Sequence, residues 1–166
     1  MIPAKIIRFL EERASLGFAG TRDGNLLPCG HRVPGWQIDA AGRTLTAFIP
    51  ESSATRLLED VRDHGPIAIT LEEVGTHETY QVKGRYLSHR PVGPTEIEIA
   101  NRTRERFAKA VRALFADDGV VALLKASIPT PSLAVEIEVH EVFVQTPGPG
   151  AGARIAPPPD AERSAT

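Results

Sequence analysis

Apolar and polar positions along this chain follow two periods, and the switches between them mark its elements. Ile6, Ile7, Phe9 and Leu10 form a stripe between charged residues, and Pro3 suits a first helical turn, which predicts an amphipathic helix over Ala4 to Arg13. Leu16 to Thr21 reads as a strand, Asp23-Gly24-Asn25 as a tight turn and Leu26 to Val33 as the returning strand. Pro34-Gly35 breaks that strand. Trp36 to Asp39 and Thr44 to Ile49 follow as extended pieces around a turn at Ala40 to Gly42.

Pro50 ends the next strand, and Ser52 or Ser53 is placed to cap a helix over Ala54 to His64 with Leu57, Leu58 and Val61 on its buried stripe. Ile67 to Leu71 and Tyr80 to Leu87 return to strand. Tyr80, Val82 and Gly84 alternate with Gln81, Lys83 and Arg85, and Gly84 in mid-strand predicts a bulge or a close backbone approach. Thr95 to Phe115 carries helical spacing through Phe107, Val111, Leu114 and Phe115, and Val135 to Val144 alternates again. Many antiparallel strands with a helix inserted predict a mainly β fold, a small or open barrel with helical caps. The expected domain covers residues 1–146. The Pro/Gly/Ala-rich stretch 147–166 is expected to be a disordered tail, at least beyond Arg154.

Composition narrows the function. The 166 residues carry a formal charge of −2, the wrong sign for tracking a phosphate backbone, so no nucleic-acid partner is expected. No apolar run approaches the roughly 20 residues that cross a bilayer, and the charged N-terminus does not read as an export signal. The single Cys29 excludes an intrachain disulfide, and a cytoplasmic home is the resulting expectation. No GxGxxG, GxxxxGK[ST], CxxC or HExxH pattern occurs, and no nucleophile–base pair is apparent.

Four groups of residues can carry chemistry. Arg56 stands near a helix N-terminus beside Ser53 and Thr55, a combination that suits a phosphate as well as a plain cap. His31 and Arg32 close the second strand on opposite faces, so one of them at most is expected to face a cleft. Gln81 and Lys83 share the polar side of a strand. Cys29 and His31 share a face as two metal donors, but no second cluster in the sequence completes a site, and no metal is expected.

The stretches LGFAGTRDGNLLPCGHRV (Leu16 to Val33), GRTLTAFIPESSATRLLEDVRDHGPIAITL (Gly42 to Leu71), THETYQVKGRYL (Thr76 to Leu87) and VFVQTPGPGAG (Val142 to Gly152) stand in an order that resembles the pyridoxamine 5′-phosphate oxidase-like family. The likeness is to a branch other than the biosynthetic oxidase itself. It implies a six- or seven-stranded antiparallel split β-barrel with N-terminal, inserted and long connecting helices, and a homodimer holding FMN between subunits. The oxidase's Ser-Arg-Lys cluster has counterparts in Thr55 and Arg56, with Leu57 where Lys would stand. Its Arg-Gln pair resembles Tyr80-Gln81, with Lys83 or Arg85 in reach of the missing charge. Taken together, the residue chemistry and the resemblance make His31, Arg32, Ser53, Thr55, Arg56, Gln81 and Lys83 the expected cofactor contacts. The activity it implies is hydride transfer between flavin and a small molecule, an FMN-dependent oxidoreductase. The alternative is a non-catalytic flavin-, haem- or deazaflavin-binding or sensing protein on the same barrel.

Overall fold

A computed structural model describes residues 1–115 and 117–156. In chain order the elements are α1 (Ala4–Glu12), β1 (Leu16–Arg22), β2 (Pro28–Arg32), β3 (Gly35–Ile38), β4 (Thr44–Pro50), α2 (Glu51–His64), β5 (Pro66–Glu72), β6 (Thr79–Pro91), α3 (Pro94–Leu114), α4 (Asp118–Ala126), β7 (Pro131–Val144) and β8 (Arg154–Ala156). The strands form one antiparallel sheet in the order β2-β1-β5-β6-β7-β4-β3, with β8 added to β7. The sheet curls on itself and stays open between β2 and β3, a split barrel.

The inward face is filled from both ends of the chain. Leu45, Ala47, Ile69, Leu71, Val82, Val135, Ile137 and Val142 project from the strands and are buried. Leu57 and Val61 of α2 and Ile6, Phe9 and Leu10 of α1 close over them. Each such aliphatic side chain contributes about 1.5–3 kcal/mol when fully buried, which makes the two amphipathic helices integral to the barrel. Trp36 is buried and donates its indole N–H to the Leu10 carbonyl at 3.0 Å, joining α1 to β3.

Helix α3 lies on the outer side. Ala100 packs with Phe48 and Ala134, and a Cβ on Gly35 would stand 3.0 Å from the Ala100 Cα, so glycine permits the close approach of helix and strand. Phe107 and Val111 of α3 enclose a second cluster with Val121 of α4 and Ile128. The β3–β4 half of the outer surface is thereby covered, whereas Phe18, Gly20, Lys83 and Arg85 on β1 and β6 face solvent.

Gly84 shows the expected close approach. The β6–β7 register shifts between Lys83 and Gly84, leaving His140 bulged out of the pairing, and a Cβ on Gly84 would fall 1.9 Å from the Glu138 carbonyl oxygen. Several expectations differ from the structure. The turn after β1 places Leu26, not a glycine or Asn25, at a positive φ of 66°, because the Asp23 carboxylate accepts from the N–H groups of Asn25 and Leu27 and winds the loop around itself. β2 accordingly begins at Pro28. Helix α2 begins at Glu51 directly after Pro50, so Ser52 and Ser53 lie in its first turn and cap nothing. Helix α4 was not expected, and β8 extends the sheet past residue 146, with Gly152 N–H donating to the Val144 carbonyl at 2.7 Å. The expected disorder of 157–166 lies outside the described residues. Among those described, no helix is long and apolar enough to cross a membrane.

Candidate functional site

The uncovered part of the sheet presents an ordered surface. Cross-strand register aligns Gly30, Gly20, Ala68, Lys83 and Glu141 in one row, and Arg32, Phe18, Thr70, Gln81 and Phe143 in the next. Gly20 and Ala68 leave the centre of the first row nearly flat, where a planar ring can approach the backbone. A cleft of about 560 Å³ opens over this row, lined among others by Arg22, Leu26, Lys83, Arg85 and His140. The His140 bulge explains why two consecutive residues of β7, His140 and Glu141, both reach it.

The cleft is cationic on one side. Arg22, Lys83 and Arg85 are exposed and have no ion-pair partner among the described residues. Lys83 Nζ sits 4.5 Å from the Phe143 ring centroid, a cation–π contact that holds the ammonium over the sheet. Glu141, opposite Lys83, is ion-paired with Arg154 of β8. Next to this row, the Gln81 amide donates to Thr70 Oγ1 at 3.1 Å.

The expected cofactor residues fall in three places. Gln81 and Lys83 share the outer face, and Lys83 lines the cleft. Arg32 is also outward, in the row of Gln81 and off the cleft, its guanidinium 5.0 Å from the Phe18 centroid and 5.6 Å from that of Phe107. His31 points the opposite way, into the barrel, and is 4% exposed. Ser53, Thr55 and Arg56 stand at the start of α2, where Arg56 is already engaged: its Nε is 3.1 Å from Asp60 Oδ1 and its Nη2 3.3 Å from Asp23 Oδ2.

His31 belongs to a buried polar chain. Thr21 Oγ1 donates to Asp60 Oδ2 at 2.6 Å, and because that hydroxyl has one proton it accepts from His31 Nε2–H at 3.0 Å. Burial holds the His31 pKa below its usual value, against the nearby Asp60 carboxylate, which raises it, and with the Arg56 cation, which lowers it further. Cys29 lies on the same strand face, and one donor atom each from Cys29, His31 and Asp60 fall within 4.8 Å of one another.

Arg22, Gly20 and Ala68 were not singled out from the sequence, and Asp60 was not connected to Cys29 and His31. The first omission had a readable signal, since Phe18, Gly20 and Arg22 alternate with the buried Ala19 and Thr21. The second had none, because Asp60 reads as one more polar position on α2.

No family model and no curated protein sequence matches the chain. Solved structures do. The chain is similar to HupZ of Group A Streptococcus at 16% identity and a TM-score of 0.53, over 92% of this chain and 99% of that one. It is similar to a putative pyridoxamine 5′-phosphate oxidase from Lactobacillus delbrueckii at 13% identity and a TM-score of 0.51, over 86% and 93% of the two chains. An FMN-binding protein from Syntrophomonas wolfei matches at 10% identity and a TM-score of 0.50, over 84% of each chain. Together with the strand order, these likenesses show that the chain has the split-barrel fold of the pyridoxamine 5′-phosphate oxidase-like proteins.

Proposed function

We propose that the protein is an FMN-binding flavoprotein whose cofactor lies across the outer row of Gly20, Ala68 and Lys83, and that it transfers hydride between that flavin and a small molecule. The observation that carries this reading is the cleft itself: a flat floor of small residues beside three cations with no ion-pair partner among the described residues. Its volume, about 560 Å³, falls within the roughly 300–1,000 Å³ of small-molecule sites. The fold is shared with a protein described as FMN-binding and with an F420 reductase that matches at a TM-score of 0.50, which supports a flavin-type ligand.

The residues present fit such a group. Arg22, Lys83 and Arg85 supply the charge for a phosphate, and Gln81 offers an amide that can donate or accept at a ring edge. Gly20 and Ala68 let an aromatic ring lie against strand backbone. A bound flavin supplies the hydride and electron transfer, while the chain positions it and limits its exposure to water. One protomer leaves the cleft open, and Phe18 beside it is 45% exposed. A second copy laid on this face would cover both, so the reading includes a homodimer with the cofactor between subunits.

The direct experiment is an absorbance spectrum of the purified protein after incubation with excess FMN and desalting. Retained flavin bands near one per chain support the reading. A colourless protein in every preparation overturns it.

A further inference from the structure

The pair Cys29 and His31 lacks a third donor in the sequence, and the fold supplies one. Separated by a single residue on β2, their side chains share the inward face of the strand. Helix α2 brings the Asp60 carboxylate to the same place, so that a sulfur, an imidazole nitrogen and a carboxylate oxygen lie within 4.8 Å of one another. His31 and Asp60 are buried, 4% and 3% exposed, while Cys29 is half-buried on an edge strand of the split sheet and leaves a route in from solvent.

We propose that Cys29, His31 and Asp60 form a binding site for a divalent transition-metal ion of the zinc type, with a fourth position left to water or a small ligand. Sulfur, nitrogen and oxygen together match the borderline-soft preference of zinc and do not match calcium or magnesium, which take oxygen alone. Bond lengths of about 2.0–2.3 Å place ligand atoms around a tetrahedral zinc roughly 3.3–3.8 Å apart. Metal binding would draw the three donor atoms, now within 4.8 Å of one another, to that spacing.

The neighbouring polar groups would serve as the outer shell of such a site. Thr21 Oγ1 hydrogen-bonds both Asp60 and His31, and the Arg56 guanidinium ion-pairs with the other Asp60 oxygen, which orients the carboxylate and the ring. This network accounts for His31 and Asp60 but gives Cys29 no role. Charge also balances. The Cys29 thiol would release its proton to solvent on binding, leaving Cys29, Asp60 and Asp23 negative and Arg56 positive, a local excess of two that a divalent cation neutralises.

The test is titration of the full chain with Co²⁺ and then Zn²⁺ under reducing conditions, without added flavin. One Co²⁺ per chain, with a thiolate-to-cobalt charge-transfer band displaced by Zn²⁺, is expected. Cys29→Ser, at a half-exposed position that tolerates the change, removes the band, and Cys29→Ser and Asp60→Asn each weaken Zn²⁺ binding at least tenfold. No binding by the parent protein overturns the proposal. Binding that survives both substitutions also overturns it, because the ion then sits elsewhere. Neither outcome bears on the flavin cleft, which uses none of these three residues.

Discussion

Arg56 and Asp60 stand one turn apart on α2 with Nε and Oδ1 at 3.1 Å, and Asp23 flanks the same guanidinium from the β1–β2 loop at 3.3 Å from Nη2. The arginine that sequence position assigns to a phosphate is therefore neutralised by two carboxylates. Hydrogen bonding to Asp23, and then the Asp60 charge, raise its pKa further, so it remains a committed ion-pair donor.

A phosphate drawn to Arg56 would have to displace Asp23 and face Asp60. Arg56→Ala is accordingly expected to change FMN affinity by less than about threefold, or ~0.7 kcal/mol, in a fluorescence titration. A loss of more than about tenfold would return the phosphate to the start of α2.

Gly84 makes the next prediction. A methyl group there collides with the Glu138 carbonyl at the bulge, and neither strand can shift without disturbing the β6–β7 pairing. Gly84→Ala should lower unfolding free energy by about 1–3 kcal/mol or more, read by urea denaturation. Wild-type stability in that variant would mean that the bulge relaxes freely.

The buried chain Thr21–His31–Asp60 yields a third expectation. Thr21→Val removes the hydroxyl that bridges the ring and the carboxylate, at a cost of about 1–3 kcal/mol in chemical denaturation. An unchanged midpoint would show the bridge to be dispensable.

Stability should also depend on pH through His31. Its folded pKa is held down, so between that value and the unfolded pKa of about 6.5 the unfolded chain binds more protons than the folded one. Stability is then full above about pH 6.5 and falls as the pH drops through this window. Asp23, Asp39 and Glu96, whose pKa values are also lowered, act further down, below the ordinary carboxylate range. Replacing His31 by Gln should flatten the melting-temperature profile between pH 7 and pH 5 and leave the acid limb unchanged. An equally steep profile in the variant would assign the loss to another group.

Much of the fold is legible in the residues. Pro3, Pro50, Gly65 and the alternation at Tyr80–Arg85 locate helices and strands within a few positions, because proline, glycine and a period of two act locally. Helix α4 escaped because its Val120, Leu123 and Leu124 form a short apolar run without a clear stripe, and its Asp117 cap comes only three residues after the end of α3. β8 escaped because three residues among Pro, Gly and Ala form a strand only where β7 offers an edge. The site was half visible. Gln81 and Lys83 fall on one face by alternation alone, but whether that face is open depends on where α3 lies, a tertiary fact. His31 and Arg32 were separable as opposite faces, and only the curl of the sheet decides that His31 goes inward.

The most direct test of the flavin reading is FMN titration by fluorescence quenching of the parent protein and of Lys83→Glu and Arg85→Glu, each first checked for an unchanged melting temperature. The expected result is binding by the parent and at least about tenfold weaker binding by both variants, ~1.4 kcal/mol or more each. Parent affinity retained in both variants, or no binding by the parent, would contradict the placement of a flavin over the Gly20–Ala68–Lys83 row.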